Sequence, residues 1–164
     1  MEPSKRTRSE VQILHVLYVE ENMQRLRRME MELEGIQKVI FYLEYPKEKS
    51  KFTKRFGFNS TYSGEHWSVR KRKADEWHEW VIESLKEQGI MFRKLEEPVR
   101  FKFYWDDRLD IDNHALMGKL TVDALKGVLI DDDSRKHVTG VAHEFWKGGK
   151  IMVEIQERAQ EASR

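Results

Sequence analysis

The chain has 164 residues, 39% of them apolar and 11% aromatic, enough to bury one hydrophobic core and to argue against wholesale disorder. It contains no cysteine, which excludes disulfides and thiolate metal sites. Charged residues make up 36% of the chain, yet the formal net charge is +1, so only the distribution of charge can point to a partner.

The N-terminus, Met1-Glu2-Pro3-Ser4-Lys5-Arg6-Thr7-Arg8, lacks the apolar stretch of a secretory signal. No apolar run approaches the roughly 18 residues that span a bilayer, and a soluble, intracellular protein is expected. Residues 1–35 read as an N-terminal extension. Ser9 and Gln12 have capping-box form, Gly35 can terminate a helix, and Val16, Val19, Met23, Leu26 and Leu33 fall on heptad spacing. Residues 11–19 are also β-branched enough to form a strand. The remainder, 36–164, reads as one domain.

Within it, residues 39–45 read as a strand ended by Pro46. A polar, basic loop follows through Gly57, Asn59, Ser63 and Gly64. Residues 68–88 read as a helix, with Ala74, Trp77, Val81 and Leu85 inward and Gly89 as the stop; Trp77 and Trp80 are read as core. Pro98 opens a strand over 99–105. A helix is expected over 112–126, then strands near 137–145 and 151–155 joined through Gly148-Gly149, and a charged tail over 154–164 that forms a short or frayed helix. Mixed strands and helices indicate an α/β or α+β fold, a small mixed sheet packed by two main helices.

Charge is segregated along this plan. Between Lys47 and Lys73 nine basic residues face only Glu48 and Glu65, a local excess of +7, whereas acids gather at 106–112 and 131–133. A basic region that holds phosphates and an acidic cluster that holds a cation are the ingredients of a metal-dependent nuclease. The solvated helix face is the plainer reading of Arg70, Lys71, Arg72 and Lys73. With Lys54, Arg55, Tyr62 and Trp67 they suit a phosphate backbone, with aromatics stacking on unpaired bases at a branch point. Arg135 and Lys136 stand directly after the distal acids and suit phosphate contact. The six histidines show no metal-ligand spacing; His114 stands out only because it adjoins the acidic motif.

Two acidic segments bracket the helix over 112–126: Leu109-Asp110-Ile111-Asp112-Asn113 before it, and Asp131-Asp132-Asp133-Ser134 after it. On an ideal helix Asp112, Lys119 and Asp123 lie within roughly 20° of one line, beside an inward stripe of Leu116, Leu120 and Ala124. Carboxylates crowded together repel, and a divalent cation relieves the repulsion; Mg²⁺ so held polarises a phosphoryl oxygen and activates water. A nearby lysine stabilises transition-state charge. An Asp helix cap followed by an Asp-rich turn is the plain structural alternative.

The run Asp110-Ile-Asp-Asn, Lys119, Asp123-Ala-Leu-Lys-Gly-Val-Leu and Asp132-Asp133-Ser134 resembles the signature of the RusA family of Holliday junction resolvases: Asp-x-Asp-Asn, a downstream lysine, a helical Asp-Ala-Leu and a distal Asp-Asp. The resemblance covers roughly residues 99–155. Lys-Gly-Gly-Lys at 147–150 resembles the family's closing hairpin, and residues 59–67 more loosely its DNA-contacting loop. It implies a homodimeric, Mg²⁺-dependent endonuclease, with Mn²⁺ as a substitute, that nicks four-way and branched DNA in recombination and repair. Such enzymes are typical of phages and prophages and act in the bacterial cytoplasm. The resemblance implies Asp110, Asp112 and Asp133 as metal ligands, Asp132 as an accessory acid and Lys119 as the catalytic lysine. There are two departures. Lys119 follows the second aspartate by seven residues where the short form of the motif has four, and Asp106 and Asp107 precede Arg108 where the family tends to be basic. A branched-DNA-binding protein without cleavage, and a metal-dependent phosphohydrolase with another substrate, are the alternatives.

Overall fold

The computed structural model describes residues 38–90 and 94–157. The expected N-terminal helix and residues 158–164 of the expected tail helix lie outside these residues, whereas residues 154–157 are strand, paired between two neighbours. A four-stranded mixed sheet is built from β1 (Lys38–Leu43), β2 (Val99–Trp105), β3 (Val138–Phe145) and β4 (Ile151–Glu157), in the order β1-β4-β2-β3. β4 runs antiparallel to both β1 and β2, whereas β3 runs parallel to β2. With helices on one face, this is the expected α+β architecture.

Strict alternation sets the sheet's inner face. In β2, Val99, Phe101, Phe103 and Trp105 are fully buried, and the residues between them reach the surface. Register lines them up with the other strands, as in Phe41–Val153–Phe103–His143 and Val39–Ile155–Phe101–Val141. Where the rows reach β3 they become polar or exposed, Val141 at 46% and Phe145 at 54%, because β3 is an edge strand.

Helix α3 (Trp67–Glu87) and helix α4 (Ala115–Leu125) cover that face. Trp77, Val81 and Leu85 of α3 are buried, and Trp77 Nε1 donates to Thr121 Oγ1 of α4 at 3.0 Å, so the largest core side chain also satisfies its polar atom. Gly118 of α4 permits close approach to β3: a Cβ there would come within 2.6 Å of His143 Cε1.

The basic segment departs from expectation. In place of a loop it forms α1 (Lys49–Phe56) and α2 (Phe58–Tyr62). Phe52 and Phe56, one turn apart, pack on Trp77 with ring centroids 5.6 and 4.9 Å away, and Phe52 also meets Trp80 at 5.1 Å. Burying a side chain of this size stabilises by about 1.5–3 kcal/mol, which favours the helical arrangement of a segment whose exposed face is lysine and arginine. The helix expected over 112–126 also begins differently, as a 3₁₀ turn (Ile111–His114) that leads into α4.

Candidate functional site

The turn that carries Asp110 and Asp112 is fixed from beneath by Asp107. This side chain is 2% exposed and accepts from Tyr45 Oη at 2.8 Å and from the Leu109 backbone N–H at 2.9 Å. His114 Nε2 lies 3.0 and 3.1 Å from its two oxygens. Burial opposes its ionisation, but the contacts to His114, Leu109 and Tyr45 outweigh burial and hold the carboxyl below the ordinary range. Burial and the adjoining carboxylate push the Tyr45 phenol the other way, far above its usual value. His114 is fully buried and stacks on Trp105 with centroids 4.4 Å apart. Trp105 Nε1 in turn donates to His143 Nδ1 at 3.1 Å; burial, then the nearby His114, lower the His143 pKa. Asp106 accepts from the Gly149 N–H in the loop that carries the chain from β3 across β2 to β4, so the Lys147–Lys150 segment does not close a hairpin. The acids that interrupt an expected basic stretch are therefore structural anchors. Sequence reasoning marked Asp106 and Asp107 only as a departure from the family pattern, missed Tyr45, and placed His114 beside the motif when it lies under it.

Asp110 adopts an extended backbone and caps the 3₁₀ turn, accepting the Asn113 N–H at 3.0 Å through its carbonyl. Asp110 and Asp112 are both exposed, and neither carboxylate has a hydrogen-bond or ion-pair partner among the described residues. At the other end of α4 the acids are neutralised. Asp123 lies 2.5 Å from Lys119 Nζ and 2.9 Å from Lys126 Nζ, and Lys126 also reaches Asp133 at 3.3 Å. Burial opposes ionisation of Asp123, and the two lysines reverse it, leaving the carboxyl below the ordinary range. Asp132 is lowered by the Asp133 N–H and the Ser134 hydroxyl, and Asp131 pairs with Lys94 at 2.5 Å.

Helix α4 spans 11 residues, about 16 Å at 1.5 Å per residue. The expected ligand set is therefore divided, with Asp110 and Asp112 before its first turn and Asp133 beyond its last. No three His, Asp or Glu side chains among the described residues form a group that could hold a metal ion. Within one chain the two halves of the set implied by the resemblance therefore stand at opposite ends of α4. The expected line through Asp112, Lys119 and Asp123 is realised only as the Lys119–Asp123 pair, because a 3₁₀ turn advances about 120° per residue and shifts Asp112.

The basic segment folds against the acidic turn. Leu109 packs so closely on Gly57, between α1 and α2, that a Cβ there would stand 3.3 Å from Leu109 Cδ2. The Asn59 N–H donates to Asn113 Oδ1 at 3.4 Å. Beside this contact a cleft of about 360 Å³ opens between α3 and α4, with Phe56, Leu116 and Leu120 as its floor and Trp67 and Arg70 on its wall. Trp67 is 63% exposed. Leu116, in the first turn of α4, brings the cleft to within four residues of Asp112 along the chain.

Of the residues expected to meet DNA, Lys54, Arg70, Arg72, Arg108, Arg135 and Lys136 are exposed. Arg55 and Lys71 are exposed but paired with Glu76 and Asp75. Tyr62 closes α2, and its side chain lies outside the described residues. Lys73 is a correction: it is 7% exposed, and its ammonium donates to Arg55 O, Ser60 Oγ and Glu65 Oε1 at 2.9, 2.9 and 2.5 Å. All three donors are occupied, so Lys73 ties α3 to α1 and α2 and offers nothing to phosphate.

A scan against protein-family models and a search of curated proteins each find no match to this chain. No helix among the described residues is long and apolar enough to cross a membrane.

Proposed function

We propose that the chain is a structure-specific endodeoxyribonuclease that hydrolyses phosphodiester bonds in branched DNA. The observation that carries the reading is the packing together of two segments far apart in sequence. The turn bearing the unpaired carboxylates Asp110 and Asp112 lies against the basic α1–α2 segment, at the edge of a cleft that exposes Trp67 and Arg70. Phosphates are held by exposed cations, unpaired bases by an exposed aromatic, and a phosphodiester so held lies beside free carboxylates. The sequence resemblance to RusA-type resolvases supplies the substrate class, a four-way junction, together with the Mg²⁺ requirement and the homodimer that cuts both strands.

The division of Asp110 and Asp112 from Asp133 favours one second reading, a protein that binds junctions without cutting them. A synthetic four-way junction and a matching linear duplex, each incubated with Mg²⁺, with Mn²⁺ and with EDTA, separate the two. Paired nicks on the junction alone, lost in EDTA and in Asp112→Asn while junction binding persists, support the nuclease. Junction binding without nicks supports the second reading, and full cleavage by Asp112→Asn removes that carboxylate from the chemistry.

A further inference from the structure

The cleft between α3 and α4 has a composition that the nuclease reading does not require. A surface that only tracks a phosphate backbone needs cations. This one has an apolar floor of Phe56, Leu116 and Leu120 and a tryptophan at its rim that remains 63% exposed. Trp67 is the first residue of α3, preceded by His66, whose Nδ1 accepts from the Ser68 N–H and caps the helix. The indole is therefore held out from a fixed helix end. Arg70, one turn further along α3, lines the same cleft, is exposed and has no side-chain partner among the described residues. Lys73 also borders the cleft, but its three donors are already taken.

We propose that this cleft receives a single unpaired nucleobase, stacked on Trp67 over the apolar floor, with Arg70 holding the adjoining phosphate. The inference rests on the branched-DNA reading above and identifies the feature of the substrate that is recognised. Three observations commit the cleft to this occupant. Its volume, about 360 Å³, lies at the small end of the roughly 300–1,000 Å³ typical of ligand pockets, which suits one flat base. An aromatic platform with a free guanidinium beside it complements a base and its anionic phosphate. Polar groups that could read a base edge are scarce: Arg70 faces phosphate, Lys73 is internally satisfied, and only Thr61 remains. The cleft therefore distinguishes unpaired from paired bases and tolerates any of the four. Leu116 follows Asp112 by four residues, so a base seated over Leu116 fixes which phosphates lie near the carboxylate turn.

The test uses the full chain in EDTA, which prevents cleavage, with duplexes carrying either one bulged 2-aminopurine or the same base fully paired. Capture is read twice, by the change in 2-aminopurine fluorescence and by affinity. The wild type is expected to bind the bulged duplex more tightly and to change its fluorescence. Trp67→Ala, at an exposed position that does not threaten folding, is expected to weaken bulged-duplex binding by roughly 5- to 150-fold with little effect on the paired duplex. Trp67→Phe should retain most of the preference, and moving the bulge among A-, C-, G- and T-flanked contexts should leave it unchanged. Equal affinity of the wild type for the two duplexes overturns the proposal, as does a preference that survives Trp67→Ala. The nuclease reading fails separately. A protein that prefers the bulge but never nicks a junction keeps the cleft and loses the catalysis. One that nicks junctions without any bulge preference keeps the catalysis and loses the cleft.

Discussion

Asp107→Ala is the perturbation that best tests how the candidate site is held. The carboxylate serves three buried or half-buried donors: Tyr45 Oη at 2.8 Å, the Leu109 N–H at 2.9 Å and His114 Nε2 at 3.0 Å. Leaving a buried donor without a partner costs about 1–3 kcal/mol, and the turn can relax enough for water to reach the Leu109 N–H. A net loss of about 3–5 kcal/mol follows, a lowering of Tm by roughly 10–15 °C for a domain of this size. The effect depends on pH with a defined sign. The Asp107 carboxyl is depressed in the folded state, so its contribution is fully present above the unfolded carboxylate value, about 3.9. It is lost as pH falls through the lower folded value. The wild type and Asp107→Ala should therefore differ most at neutral pH and converge below about pH 4. Thermal unfolding followed by circular dichroism from about pH 3 to neutrality, with urea titrations at the two ends, measures both quantities. A variant that melts within about 2 °C of the wild type at neutral pH, or a gap that widens in acid, would refute the anchoring role.

Lys73→Met should lower stability by about 3–5 kcal/mol, because Glu65 then keeps a half-buried charge without its partner, while affinity for linear DNA stays unchanged; urea unfolding and a binding titration check the two halves. Arg70→Glu with Arg72→Glu should weaken DNA binding and lower the slope of log K against log salt by about one for each phosphate no longer neutralised, and an unchanged slope returns both residues to a solvated helix face. Gly118→Ala should cost about 1–3 kcal/mol by forcing a methyl group against His143, and His143→Ala in the same chain should recover part of that loss. Additive effects in that double mutant would show that the clash is not the cause.

The parts of the fold legible in the sequence were those in which one physical requirement dominates. Alternation in Val99-Arg-Phe-Lys-Phe-Tyr-Trp105 fixed β2 because one face must be buried, and the spacing of Trp77, Val81 and Leu85 fixed α3 for the same reason. Residues 49–62 were obscured by their lysines and arginines, which describe only the exposed side; Phe52 and Phe56 at helical spacing were the available signal. Lys73 belonged by sequence to a basic run of four, and only the approach of Ser60, Glu65 and the Arg55 carbonyl shows that it faces inward. The candidate site was legible as chemistry and not as geometry. Asp110, Asp112 and Asp133 are conspicuous as residues, but the length of α4 and the hold of Lys126 on Asp133 arise from packing that spacing does not encode.

The strand order has a consequence for how the chain comes to be folded. β4 lies between β1 and β2, so Lys38 has no strand partner until Gln156 arrives. During synthesis the β2–α4–β3 crossover, with its acidic turns, can gather before β4 exists, whereas β1 must wait with its edge open. Pairing over such a separation carries a large loop-closure cost and slows folding. An emerging chain would thus hold the carboxylate turns before the sheet beneath them is closed, and loss of β4 would leave both β1 and β2 as unprotected, aggregation-prone edges.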